Sequence, residues 1–200
     1  MERSKRNILI FFAGLWAFVE VSLGTVLSLS KVPFRGMLMA SFACFILISF
    51  RVLNHTPRSS IYLASIVSVV KLIFSFGAGA LNSAIAIFIE GLIAEIIFSL
   101  IRVNLFSSIL AGALVVLYPF FHSLFTQTVI FGVDIFKLYN RILSELQQIL
   151  KINNTIGVLE LILFFSILYL LIGSIVGASS FWFSKNVLTR IIHYGKQARQ

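Results

Sequence analysis

Glu90 and Glu95 lie in the apolar stretch Gly77 to Arg102, GAGALNSAIAIFIEGLIAEIIFSLIR. In a helix rising about 1.5 Å per residue, this stretch is long enough to cross the ~30 Å hydrocarbon layer of a bilayer. A charge at the centre of such a helix costs on the order of 3 kcal/mol, so each carboxyl group must face protein, water or a partner. At roughly 100° per residue, a spacing of five puts them about 140° apart around the axis. One helix is thus expected to offer polar faces to two different neighbours. Lys71, Glu160 and His122 are further ionisable groups within apolar runs, with Asn82 and Gln127 as amides beside them. Groups of these types serve either ligand recognition or acid–base chemistry once gathered in one hollow.

The elements that must position them are read from composition and hydropathy. The chain has 200 residues, 59% of them hydrophobic and 12% charged. A soluble domain carries about twice that share of charge, so the fold class is an all-α integral membrane protein. A single transmembrane domain, 1–200, is expected, with spans at about 7–28, 36–53, 60–76, 78–101, 105–131 and 156–183. Gly77, Ala78 and Gly79 mark an uncharged tight turn between the third and fourth spans. An extra amphipathic helix is expected over 134–154, between spans five and six. There Ile135, Leu138, Ile142, Leu146 and Ile149 recur at helical spacing, with Lys137, Arg141, Glu145 and Gln148 on other faces. Arg3, Lys5 and Arg6 before the first apolar run also resemble the start of a signal peptide. The length of the run and Glu20 within it favour a retained span.

The net charge of +9 is carried at helix ends and short loops. Anionic headgroups and the positive-inside rule account for that pattern without nucleic acid. With both termini in the cytoplasm of a plasma-membrane protein, inner segments hold Arg3, Lys5, Arg6, Arg51, Arg58, Arg102, Lys185, Arg190, Lys196 and Arg199. Outer segments hold Lys31, Arg35, Lys137, Arg141 and Lys151. The excess of basic residues on the inner side sets the orientation.

In this orientation Lys71, Asn82, Glu90, His122, Thr126, Gln127 and Glu160 fall in the outer half or middle of their spans. They are expected to converge on a water-accessible pocket, joined by the loop carrying Lys31 and Arg35. The competing expectation is that Lys71 pairs with Glu90 or Glu160 and only stitches helices together. Glu95 is expected to pair with Arg102, seven residues on, or with another basic group at the inner surface. Glu20 either lines the same cavity or snorkels. Pro119 removes a backbone hydrogen bond and can kink the fifth span. Cys44 reads as a small buried hydrophobe, and a single cysteine rules out a disulfide within the chain.

Signatures of catalysis are missing: the sequence has no HExxH, GxSxG, Walker A loop or CxxC, and His55 and His193 have no companion at metal-ligand spacing. No enzyme activity, metal or cofactor is therefore expected. The rival reading is an intramembrane enzyme using Glu90, Glu95 and His122, and a third is a ligand-free structural membrane protein. Small residues recur at Ala13 and Ala17 in the first span and at Gly173 and Gly177 in the last, the latter assigned to packing inside the bundle.

The layout resembles the substrate-binding S component of energy-coupling factor (ECF) transporters, the vitamin importers of prokaryotes. The likeness rests on the basic start, the Ala13-x-x-x-Ala17 face, Gly91-Leu92-Ile93-Ala94-Glu95 before Arg102, and Ala111-Gly112-Ala113. The part from about Val70 to Gly132 is most similar to the predicted hydroxymethylpyrimidine/thiamine permease type. The resemblance implies capture of a small vitamin or precursor outside the cell, and delivery inward with a transmembrane T component and two cytoplasmic ATPases. Ala13 and Ala17 would dock on the T component, and Asn82, Glu90, His122 and Gln127 would line the pocket. Lys71 departs from the pattern, standing where the thiamine-type relative would carry an acid, and points to an anionic or neutral ligand. The helix expected over 134–154 looks like an insertion.

Overall fold

The structure is a computed structural model that describes residues 2–30, 34–75, 78–132, 137, 140, 141, 144 and 157–190. Six helices can be given bounds among the described residues, α1 (Glu2–Leu29), α2 (Arg35–Leu53), α3 (Ser59–Phe74), α4 (Ala78–Ile101), α5 (Leu105–Phe131) and α6 (Val158–Phe183). A π-helical turn, Ser184–Leu188, continues α6. All except α3 are long and apolar enough to cross a membrane, and α3 is a shorter apolar helix of 16 residues. At about 1.5 Å per residue it spans roughly 24 Å. It stops at Phe74, where Ser75 turns extended, two residues before the expected end. The basic start is helical too, since α1 begins at Glu2 and carries Lys5 and Arg6 in its first turns. Most of the amphipathic stretch 134–154 lies outside the described residues, as do Lys31 and His193; Lys137, Asn140, Arg141 and Ser144 are helical.

The order of packing follows from side-chain size. α2 touches all five other helices. It has no strongly polar stripe along its middle, and Ala40, Ala43, Cys44, Leu47, Ile48 and Phe50 are buried. Trp16, Leu63, Val67, Val115 and Val116 complete a close-packed core around it. Cys44 is buried there as a small hydrophobe.

The closest approaches are made by glycines. A Cβ on Gly112 would lie 2.2 Å from the Gly173 carbonyl oxygen and 2.8 Å from the Gly177 Cα, and one on Gly177 would lie 2.2 Å from the Ser108 carbonyl oxygen. α5 and α6 therefore meet backbone to backbone, the small-residue packing that stands in for a hydrophobic drive in lipid. α3 and α4 repeat the device, with a Cβ on Gly91 coming 2.2 Å from the Ala64 Cβ.

The α1 small-residue face is turned inward. Ala13 and Ala17 are only 5% and 9% exposed and belong to the core, which corrects their expected role as an outward docking face. The outward face of α1 is Ile10, Phe11, Leu15 and Phe18. Large apolar side chains are exposed on every helix, including Leu100 on α4 and Ile175 on α6, a surface whose natural solvent is hydrocarbon.

Two polar clusters at opposite ends of the bundle

Alternation of helix direction puts the last turns of α1, α3 and α5 at one end of the bundle, with the first turns of α2, α4 and α6. That end is hollow. A cavity of about 860 Å³ is lined by Glu20, Lys71, Asn82, Glu90, His122 and Gln127, with Arg35 and Thr126 beside them. Six of the seven residues expected to converge, Lys71, Asn82, Glu90, His122, Thr126 and Gln127, are brought together here. Glu160 is not: it sits exposed in the first turn of α6, beside Gly157. The first turn of α6 lies at the same end but does not line the hollow, and α6 contributes Tyr169 to the cavity wall.

Lys71, 8% exposed, pairs with neither Glu90 nor Glu160. Its Nζ donates to the Glu20 backbone carbonyl at 2.7 Å and lies 3.5 Å from Glu20 Oε2. The approach is possible because Gly24, one turn on in α1, has no side chain: a Cβ there would meet Lys71 Nζ at 3.2 Å. Glu20 is thus a buried member of the cavity wall and does not snorkel. The Trp16 indole N–H faces it from one turn away but falls short of hydrogen-bond geometry.

On the opposite wall, Tyr118, His122 and Thr126 recur every four residues and so share one face of α5. Asn82 of α4 ties this face together. His122 Nε2 and Asn82 Oδ1 are 2.9 Å apart, and Tyr118 Oη and His122 Nδ1 are 2.9 Å apart. With the Asn82 oxygen accepting, the ring carries its proton on Nε2 and the Tyr118 hydroxyl donates to Nδ1. The Thr126 hydroxyl also reaches Asn82 Oδ1 at 3.3 Å. The amide nitrogen of Asn82 donates to no group among the described residues. Phe120 and Tyr169, with ring centroids 5.2 Å apart, add an aromatic patch to the lining.

Glu90 is the outlier. It is 5% exposed, its Oε2 is buried without a hydrogen-bond partner, and among the described residues no cation reaches it. Buried carboxylates are ordinarily paired or hydrogen-bonded, and Glu90 is the one carboxylate among the described residues with a buried oxygen left unmatched.

Glu95 diverges from Glu90 as the helical spacing requires and enters a different cluster at the other end of the bundle. Its partner is Arg51 of α2, Nη2 to Oε1 at 3.4 Å, and not Arg102. Glu95 also accepts from the backbone N–H of Arg58 at 2.7 Å and of Ser60 at 3.0 Å, and from the Ser99 hydroxyl at 3.0 Å. A carboxylate there caps the first turn of α3, whose N–H groups have no partner within the helix, and complements its dipole. Arg51 donates in addition to the Thr56 carbonyl and to the Ser59 hydroxyl, the latter at 2.9 Å, and lies 5.8 Å from the Phe98 ring. Arg58, the residue before α3, holds a left-handed φ of 62°, a conformation that its bond to Glu95 helps fix.

Sequence reasoning missed Arg51, Tyr118 and Tyr169. Arg51 reads as one more cation at a helix end, and no signal in the sequence singles it out as the partner of Glu95. Compared with known proteins, the chain matches no family model, no curated protein and no solved structure.

Proposed function

We propose that the protein is a membrane-embedded binding subunit that captures a small water-soluble molecule in the cavity between α1, α2, α3, α4 and α5. The observation that carries this reading is the hollow itself, of about 860 Å³ and walled by polar side chains of which one buried acid is unmatched. Its size falls within the roughly 300–1,000 Å³ of small-molecule sites.

The orientation that places the cavity outside also puts both termini in the cytoplasm of a plasma-membrane protein, with α3 as the third and shortest of six spans. The architecture is then that of the substrate-binding S component of an ECF-type importer. The partners of this reading are a T component and two cytoplasmic ATPases, with a vitamin or vitamin precursor as cargo. The protein itself performs no catalysis and needs no metal or cofactor. Against the rival intramembrane enzyme stands the dispersal of its residues. Glu95 is consumed by Arg51 and two backbone N–H groups, away from Glu90 and His122, and both ring nitrogens of His122 are engaged.

Gentle purification from the native membrane is expected to retain a second membrane protein, two ATPases and a small molecule identifiable by mass spectrometry. Isolation of the chain alone, with no retained molecule and no ligand-induced rise in thermal stability, would overturn the reading.

A further inference from the structure

We infer that the cavity takes a small organic cation, with its ammonium group seated against Glu90 and its ring against Phe120 and Tyr169. The inference deepens the binding reading above and rests on it for the existence of a ligand, while the charge and shape of that ligand come from separate observations.

The first observation is how the charges of the wall are matched. Lys71 is committed to Glu20, through the carbonyl at 2.7 Å and the carboxylate at 3.5 Å. It therefore does not act as an anchor for an anion, which removes the basis for expecting an anionic ligand. Arg35 lines the cavity from the exposed first turn of α2, where water screens it. His122 has a partner on each ring nitrogen. Among the described residues nothing in the wall supplies a positive charge or a donor to Glu90, which lines the cavity and has an unpaired Oε2 just beneath its surface. A ligand ammonium entering the cavity would supply that donor.

The second observation is the aromatic patch. Phe120 packs on Tyr169 at 5.2 Å and on Phe165 at 6.3 Å, so its ring is braced from α6. Phe120, Tyr169 and Glu90 line the same cavity. Aromatic faces attract cations as well as rings, so a flat group carrying a short aminoalkyl arm satisfies both walls.

The test uses the full-length chain in detergent and three probes of one shape and different charge: tryptamine, tryptophol and indole-3-acetate. Tryptamine is expected to bind, by calorimetry or a thermal-stability shift, at least roughly tenfold more tightly than either of the others, the discrimination that a charge-assisted hydrogen bond provides. Glu90→Gln should abolish that preference. Equal or stronger binding of indole-3-acetate, binding of none of the three, or an unchanged preference in Glu90→Gln overturns the inference. Because the three-probe comparison needs no variant, it stands even if Glu90→Gln fails to fold. The outcomes separate the two readings. Retained T component and ATPases together with a preference for the anion leave the importer reading standing without the cation. A Glu90-dependent preference for tryptamine in a chain that retains no partner leaves the cation and removes the importer.

Discussion

The two ends of the bundle use the same side chains to opposite effect. At the Arg51–Glu95 end, every oxygen of the carboxylate is used: a guanidinium, two backbone N–H groups and a hydroxyl converge on it, and the cluster ties α2, α3 and α4 together. At the cavity end, Glu20 and Lys71 satisfy one another, Asn82 and His122 form a chain, and Glu90 is left over. A buried charge by itself therefore does not mark a binding site. What distinguishes the two clusters is the carboxylate: Glu95 has partners on both oxygens, although Arg51 Nε and the Ser60 hydroxyl beside it are unpaired, whereas Glu90 keeps a buried oxygen unmatched at the wall of a hollow.

The comparison breaks most readily at the Arg51–Glu95 end. Glu95→Gln leaves Arg51 buried without its counter-charge and weakens the cap on α3, and should cost about 3–5 kcal/mol, the range for removing one member of a buried pair. Denaturation in mixed micelles should show it as loss of folded protein or a large fall in midpoint. Wild-type stability in this variant would mean that the cluster is not structural. A smaller loss, about 1–3 kcal/mol, is expected for Lys71→Met, because Glu20 borders a cavity that water can enter. Adding Glu20→Gln to Lys71→Met should recover part of that loss, and strictly additive effects would show that the pair is uncoupled. The smallest effect on stability belongs to Glu90→Gln. Removing a carboxylate that nothing in the chain satisfies should shift the unfolding free energy by no more than about 1 kcal/mol, in either direction. A loss as large as that of Glu95→Gln would place Glu90 in an unseen structural role.

Much of this division was legible before the structure. The 140° between the two glutamates follows from helical geometry alone, and their neighbours do differ. The collection of Lys71, Asn82, His122, Thr126 and Gln127 at one end follows from span direction. The pairings were less legible, because they depend on which helices are adjacent. Arg102 shares a helix face with Glu95, but seven residues of rise separate them by about 10 Å. Arg102 also lies just beyond α4 with a left-handed φ of 61°, leaving the helix and not reaching back along it. Arg51 comes from a helix far away in sequence and could be found only once α2 was known to be central. Glu160 shows the converse limit: depth along a span was read correctly as near the cavity end, but its azimuth was not, and α6 turns that residue outward. The Ala13 and Ala17 spacing likewise identifies a packing face without revealing what packs on it.

The glycine seam between α5 and α6 has a mechanical consequence. Main chains pressed together at Gly112, Gly173 and Gly177 leave no flexible side chains to act as a lubricant layer, and relative sliding would drive carbonyl oxygens into Cα atoms. These two helices form a stator. Under the binding reading proposed above, any breathing at the wide end falls to the opposite flank, where α1 is held to α3 by the Glu20–Lys71 contact in the cavity wall.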